Sequence, residues 1–209
     1  MRVKICGLTR AEDALLAAEL GAWAVGFVFW PGSPRYVAPE RARAIVDALP
    51  ASVTPVGVFV DQPVEEVDTI ARGVGLGAAQ LHGTESPAYA QGLTLPVIKA
   101  LSVTDALSEA ARDAWREATL LIDTVDPEQR GGTGRVVDWA AAADVARLRP
   151  VLLAGGLRSD NITEAIRIVR PAGVDVSSGV ERTPGVKDAA LLRALFAALS
   201  TAGAQEEAR

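Results

Sequence analysis

Short apolar runs of four to six residues, rich in Val and Ile, alternate with amphipathic stretches of ten to fourteen residues along the whole chain. The runs predict eight strands, at Val3–Cys6, Ala24–Phe29, Pro55–Val60, Ala78–Leu81, Val97–Ala100, Leu120–Asp123, Val151–Ala154 and Val174–Ser177. The stretches between them carry helix signals. Thr9 and Glu12 have the spacing of a capping box, Leu16 and Leu20 share a face, and Gly21 sits where a left-handed C-terminal residue is wanted. Ile162, Ala165, Ile166 and Val169 repeat at i, i+3, i+4, i+7, the stripe of a helix laid on a sheet. Leu191, Leu192, Leu195, Phe196 and Leu199 do the same. Residues 201–209 have no apolar anchor and predict a flexible tail beyond one catalytic domain spanning 1–200.

Eight units in 209 residues leave about 26 residues each, enough for one strand, one helix and two short loops. A closed eight-stranded barrel or a long doubly wound sheet holds that many parallel strands. No G-x-G-x-x-G follows the first strand, and the loops rich in Gly and Ser come after the last two instead. The pattern therefore predicts an α/β fold, a single-domain (βα)8 TIM barrel. Chemistry in such barrels sits at the C-terminal strand ends, with phosphate commonly bound after strands seven and eight.

Composition narrows the function classes. With 49% hydrophobic and 22% charged residues, the chain reads as an ordinary soluble globular protein. A net charge of −5 without any basic run argues against nucleic acid or an anionic membrane as partner. One cysteine, Cys6, and one histidine, His82, exclude an intramolecular disulfide and leave a Cys/His zinc site short of ligands. Lys4 interrupts the first apolar run and Arg10, Glu12 and Asp13 follow, unlike a signal peptide; no apolar stretch reaches the ~20 residues of a membrane span. A reduced, cytoplasmic protein is expected.

Five of the eight strand exits carry a polar or special residue. Strand one ends Cys6-Gly7 and strand six ends Asp123-Thr124. Strand two runs into Trp30-Pro31-Gly32-Ser33-Pro34-Arg35-Tyr36, a proline-stiffened loop presenting an arginine. The turns Gly155-Gly156 and Ser177-Ser178-Gly179 suit an anion, because glycines let backbone N–H groups approach it and serine hydroxyls add donors. Asp123, following Leu120, Leu121 and Ile122, suits acid/base work if burial raises its pKa; it equally suits a turn cap. Cys6 is either a small buried hydrophobe or a base whose ordinary pKa, about 8.5, is near enough to neutral. Lys4, on the same strand face, would favour the thiolate or pair with Asp175 across the barrel closure. His82 reads as a structural residue, Lys99 as a possible Schiff-base amine, and Trp30 as a stacking or packing residue.

Taken together, the ordered motifs are similar to those of the phosphoribosylanthranilate isomerase family of tryptophan biosynthesis. They are Val3-Lys4-Ile5-Cys6-Gly7-Leu8-Thr9, Gly26-Phe27-Val28-Phe29 with Ser33-Pro34-Arg35, Val56-Gly57-Val58-Phe59, Gln80-Leu81-His82-Gly83 and Leu121-Ile122-Asp123-Thr124. Gly131-Gly132-Thr133-Gly134, Leu153-Ala154-Gly155-Gly156-Leu157 and Gly173-Val174-Asp175-Val176-Ser177-Ser178-Gly179-Val180-Glu181 complete the series over essentially the whole chain. The resemblance implies an Amadori rearrangement of N-(5-phosphoribosyl)anthranilate to 1-(2-carboxyphenylamino)-1-deoxyribulose 5-phosphate, without metal or organic cofactor. It implies Asp123 as general acid, Cys6 as general base and Arg35 as the ligand of the anthranilate carboxylate. Gly155, Gly156, Ser177, Ser178 and Gly179 would receive the phosphate, and Gly131–Gly134 would form a lid. The lid departs from the family pattern at Arg135 and Val137, near which the family often carries a lysine and a phenylalanine. The expected partner is the phosphosugar–anthranilate substrate, with the chain a monomer or homodimer. The rivals are a phosphosugar aldolase using Lys99, a metal-dependent epimerase, for which one histidine leaves too few ligands, and a barrel that only senses a phosphorylated metabolite.

Overall fold

The computed structural model describes residues 1–124 and 137–207, with side chains through Thr201. Eight parallel strands follow one another around a closed barrel: β1 (Arg2–Ile5), β2 (Ala24–Val28), β3 (Thr54–Phe59), β4 (Ala78–Leu81), β5 (Val97–Leu101), β6 (Thr119–Ile122), β7 (Val151–Leu153) and β8 (Gly173–Val176). The eighth closes on the first in a register that sets Lys4 opposite Asp175 and Ile5 opposite Val176. The expected barrel is therefore the observed one. Cys6, Asp123, Ala154 and Ser177, read from the sequence as last strand residues, each stand one position beyond the strand.

Alternation along the strands builds two main cores, with Cys6, Val28 and Val58 in a third, small cluster. Ala24, Val56, Ala78, Ile98, Ala100, Leu121, Leu152 and Ala154 form one buried cluster, made largely of small side chains, as the narrow interior of an eight-stranded barrel demands. Their strand neighbours, among them Val25, Phe27, Phe59, Leu81, Leu120 and Ile122, belong to a second cluster with the apolar faces of the helices. Each large side chain buried there stabilises the fold by roughly 1.5–3 kcal/mol.

The helices are α1 (Ala11–Glu19), α2 (Pro39–Val46), α3 (Val64–Val74), α4 (Pro87–Gln91), α5 (Val103–Leu107), α6 (Glu109–Ala114), α7 (Trp139–Leu148), α8 (Ile162–Val169) and α9 (Ala189–Glu207). The stripe Ile162, Ala165, Ile166, Val169 is wholly buried. In α9 Leu192 and Leu195 are buried, whereas Leu191 is exposed on the flank of the stripe. Most of the tail expected at 201–209 falls on residues 202–209, whose side chains lie outside the description.

Three expectations need correction. The expected long helices are short between β4 and β5, where α4 has five residues, and broken in two between β5 and β6, where Ser108 caps α6 by accepting from Ala111 N. Thr9 does not cap α1. The residue before the helix is Arg10, extended and without a side-chain cap, and its guanidinium pairs with Glu12 and Asp13. Thr9 Oγ1 instead donates to the carbonyl of Gly185, 2.5 Å away. That carbonyl lies in the third unforeseen feature, an antiparallel hairpin of β9 (Glu181–Thr183) and β10 (Val186–Lys187) reached through a 3₁₀ turn at Ser178–Val180.

Candidate active site

A cavity of about 430 Å³ opens at the C-terminal strand ends. Cys6, Arg35, Asp123, Gly155, Gly156, Ser177 and Ser178, drawn from five loops far apart in sequence, all line it, with Trp30, His82 and Asp175. Gly179 does not line it: a Cβ there would stand 1.9 Å from the carbonyl oxygen of Leu157, so this glycine lets the last two strand-exit loops touch. The Gly131–Gly134 segment and Arg135 lie outside the described residues. Val137 is buried, and its Cγ2 would meet a Cβ added at Gly155.

Two ionisable groups, both pushed up by burial, line the cavity at the β1 and β6 exits. Burial, followed by the neighbouring charge of Asp175, pushes the Asp123 carboxyl up to about 6, against hydrogen bonds from Thr124 that favour its ionised form. Thr124 N donates to Asp123 Oδ1 at 2.7 Å, so the side chain is both a turn cap and an acid poised near neutrality. Cys6 is 8% exposed. Burial pushes its thiol up, while the Lys4 ammonium favours the thiolate. Lys4 is completely buried and donates to Asp175 Oδ1 at 2.9 Å, so both sequence readings of this lysine hold.

His82, which carried no role in the sequence, stands with Nε2 3.5 Å from Asp123 Oδ2, and Gln80 Nε2 lies 3.2 Å from its Nδ1. Its strand-exit position was the available signal. Lys99 does not line the cavity. Its ammonium is buried against Glu85 Oε2 at 2.7 Å and the carbonyl of Gly83 at 2.8 Å, which takes the Schiff-base amine out of reach of a sugar aldehyde.

The Gly155-Gly156 turn has the left-handed backbone that glycines permit. Gly155 and Gly156 take φ of +82° and +63°, a left-handed pair that only glycine adopts without strain. Asn161 Nδ2 pins the loop by donating to Gly156 O at 3.0 Å. Among the described residues the N–H groups of both glycines have no acceptor inside the chain, as a phosphate cradle requires. Beside the Ser177 turn, Arg35 is clamped by Glu181: Nε and Nη2 donate to its carboxylate at 2.8–3.2 Å. Glu181 in turn accepts from Lys187 Nζ at 2.9 Å. Neither residue announces itself by periodicity; their one sequence signal is the Pro184-Gly185 turn between them.

Comparison with known proteins gives the same arrangement a context. The family model described as N-(5'phosphoribosyl)anthranilate (PRA) isomerase matches residues 3–198. An N-(5'-phosphoribosyl)anthranilate isomerase of Pelobacter propionicus is 48% identical over 193 residues, covering 92% of each chain. The crystal structure of phosphoribosyl anthranilate isomerase from Thermus thermophilus superposes with a TM-score of 0.85 at 48% identity, over 96% of this chain and 99% of that one. A crystal structure of a phosphoribosyl anthranilate isomerase in complex with reduced 1-(o-carboxyphenylamino)-1-deoxyribulose 5-phosphate superposes with a TM-score of 0.83 at 40% identity, over 96% and 99%.

Proposed function

The chain belongs to the N-(5'-phosphoribosyl)anthranilate isomerase family and is an isomerase of tryptophan biosynthesis, and from that premise we propose how its own residues divide the work. The observation that carries the reading is the pair of Asp123 and Cys6 on one cavity that an anion cradle and an arginine also line.

In this reading the substrate spans the cavity with its phosphate on the N–H groups of Gly155 and Gly156 and the hydroxyls of Ser178 and Ser177, the latter turning to it from the Cys6 carbonyl to which it donates at 3.1 Å. Its ring carboxylate lies on Arg35, whose planar guanidinium suits a planar anion. Asp123 gives its proton to the furanose ring oxygen; the C1–O bond breaks and the anthranilate nitrogen lone pair forms the iminium. Cys6, as thiolate, removes the C2 proton, and the C2–H electron pair becomes the enolamine double bond as the iminium is neutralised. Tautomerisation of the enol to the ketone completes the product. Protons move and nothing is oxidised or reduced, so one acid and one base suffice. Gly179 supports the cradle by packing on Leu157 rather than by touching phosphate. A cytoplasmic location suits a base that must remain a free thiol.

The test is direct: freshly prepared N-(5'-phosphoribosyl)anthranilate loses its fluorescence as it is isomerised. Turnover above the buffer rate is the expected result, and none would overturn the reading. The aldolase rival predicts that borohydride with a phosphosugar aldehyde labels Lys99; no label is expected.

A further inference from the structure

Glu181 and Lys187 belong to the hairpin that the barrel pattern does not require, and they are the most heavily committed charges beside the cavity. Lys187 is 2% exposed. Its ammonium donates to the carbonyl of Cys6 at 2.5 Å, the carbonyl of Ser177 at 3.1 Å and Glu181 Oε1 at 2.9 Å. Three acceptors call for three hydrogens, which the ammonium has and the neutral amine lacks. Its backbone is equally held: Lys187 N donates to Asp13 Oδ2 at 3.0 Å, and Arg10 Nη2, itself paired with Asp13, donates to Lys187 O at 3.2 Å.

The cluster Lys187, Glu181, Arg35 holds two cations and one carboxylate. Glu181 alone would neutralise the arginine it clamps; Lys187 restores a net charge of +1 on the cavity wall. Glu181 takes Nε and Nη2 of Arg35, and Nη1 has no acceptor among the described residues. One donor edge is thus used for holding and the other remains for a ligand. Burying two cations and a carboxylate together costs several kcal/mol of desolvation, and apolar side chains of equal volume often stabilise a fold as well. A purely structural role therefore accounts poorly for the choice of residues.

The geometry points to Glu181 and Lys187 as positioning residues for recognition of the substrate's carboxylate: Lys187 holds Glu181, Glu181 orients Arg35, and the three together keep one positive charge facing the anion. The same ammonium ties the backbone of Cys6 to that of Ser177, so the arginine, the base and the cradle loop share one anchor. This rests on the isomerase reading above and specifies which residues outside direct contact set its carboxylate preference.

The test measures binding by calorimetry on the full chain and two variants, Lys187→Met and Glu181→Gln. The ligands are reduced 1-(o-carboxyphenylamino)-1-deoxyribulose 5-phosphate and the phenylamino counterpart lacking the carboxylate. The wild type is expected to prefer the carboxylated ligand. Each variant should lose about tenfold of that preference, ~1.4 kcal/mol, Lys187→Met by taking the cluster from +1 to neutral and Glu181→Gln by releasing the arginine from its clamp despite the added positive charge. Glu181→Gln should bind the uncarboxylated ligand within about twofold of wild type, and Lys187→Met, which also frees the cradle loop, should weaken both ligands but the carboxylated one about tenfold more. Equal loss for both ligands, an unchanged preference, or no preference in the wild type would overturn the proposal. If Lys187→Met does not fold, Glu181→Gln, which keeps volume and removes only charge, decides. Failure of wild-type turnover counts against the isomerase reading and leaves this binding comparison separately readable.

Discussion

Nζ of Lys4 lies 2.9 Å from Oδ1 of Asp175, in the register position where β8 closes on β1 and two residues before Cys6. The pair is part of the fold and of the site at once. It joins the strands of the closure, and the same ammonium favours the Cys6 thiolate against burial.

Lys4→Met should separate these effects. It leaves the Asp175 carboxylate buried without its partner, which costs about 3–5 kcal/mol for a broken buried pair, read as a lowered midpoint in urea. It also removes the cation that lowers the thiol pKa, so alkylation of Cys6 by iodoacetamide at fixed pH should slow. Unchanged alkylation in the folded variant would show that Lys4 serves the closure alone.

Asp123→Asn should stabilise the protein above neutrality while disabling it. The folded carboxyl titrates at about 6 because burial and Asp175 disfavour its charge; the unfolded one titrates near 3.9. The folded state therefore binds the proton more tightly. Its stability from this group is fully present below about pH 3.9 and lost as pH rises through about 6. The loss is of order 2–3 kcal/mol for a shift of about two units. The variant should be more stable than wild type at pH 8 and indistinguishable at pH 3.5 in denaturant titrations. A wild-type advantage at pH 8 would contradict the raised pKa.

The barrel and its exits were legible because period-two runs and helical stripes repeat eight times, and a closed barrel converts strand order into angular position. Cys6 and Asp123 could thus be set at one cavity from their strand numbers alone. The Lys4–Asp175 pair followed from strand pairing for the same reason. The Glu181–Lys187 anchor did not, because strands of two and three residues carry no periodicity and their partners, Arg35 and Cys6, lie more than a hundred residues away. Thr9 illustrates the converse: a local capping signal was present, and a tertiary acceptor at Gly185 took its hydroxyl.

Cys6→Ala and Asp123→Asn should each lower kcat by at least the ~10²-fold of a lost acid or base with the fold intact. The wild-type pH profile carries a further signature. The acid titrates at about 6 and the base above the ordinary thiol value, so the reactive form has its protons on the less favoured sites. kcat/KM should fall below about pH 6, stay level through neutrality and fall again only above the ordinary thiol range. In Asp123→Asn the break at about pH 6 should vanish and the residual rate rise with pH through neutrality; a break persisting at about pH 6 would assign it to another group.

Gly7→Ala tests how tightly the arginine is held. Gly7 has φ of +74°, and a Cβ there would stand 2.6 Å from Cδ of Arg35 and 3.0 Å from Oγ of Ser177. Alanine in the left-handed region costs about 1–2 kcal/mol by itself, and the contact with Arg35 requires that side chain to move against its clamp on Glu181. KM should rise about tenfold, with kcat changed much less, because binding through Arg35 is lost equally from substrate and transition state. The control is a double-mutant cycle with Arg35→Ala. Once the arginine side chain is gone the Cβ still stands 3.0 Å from Oγ of Ser177, so Gly7→Ala should add to KM only the smaller part that runs through that serine, while keeping its full backbone cost in stability. Additive effects on KM would show that the glycine acts on the cavity by another route than Arg35.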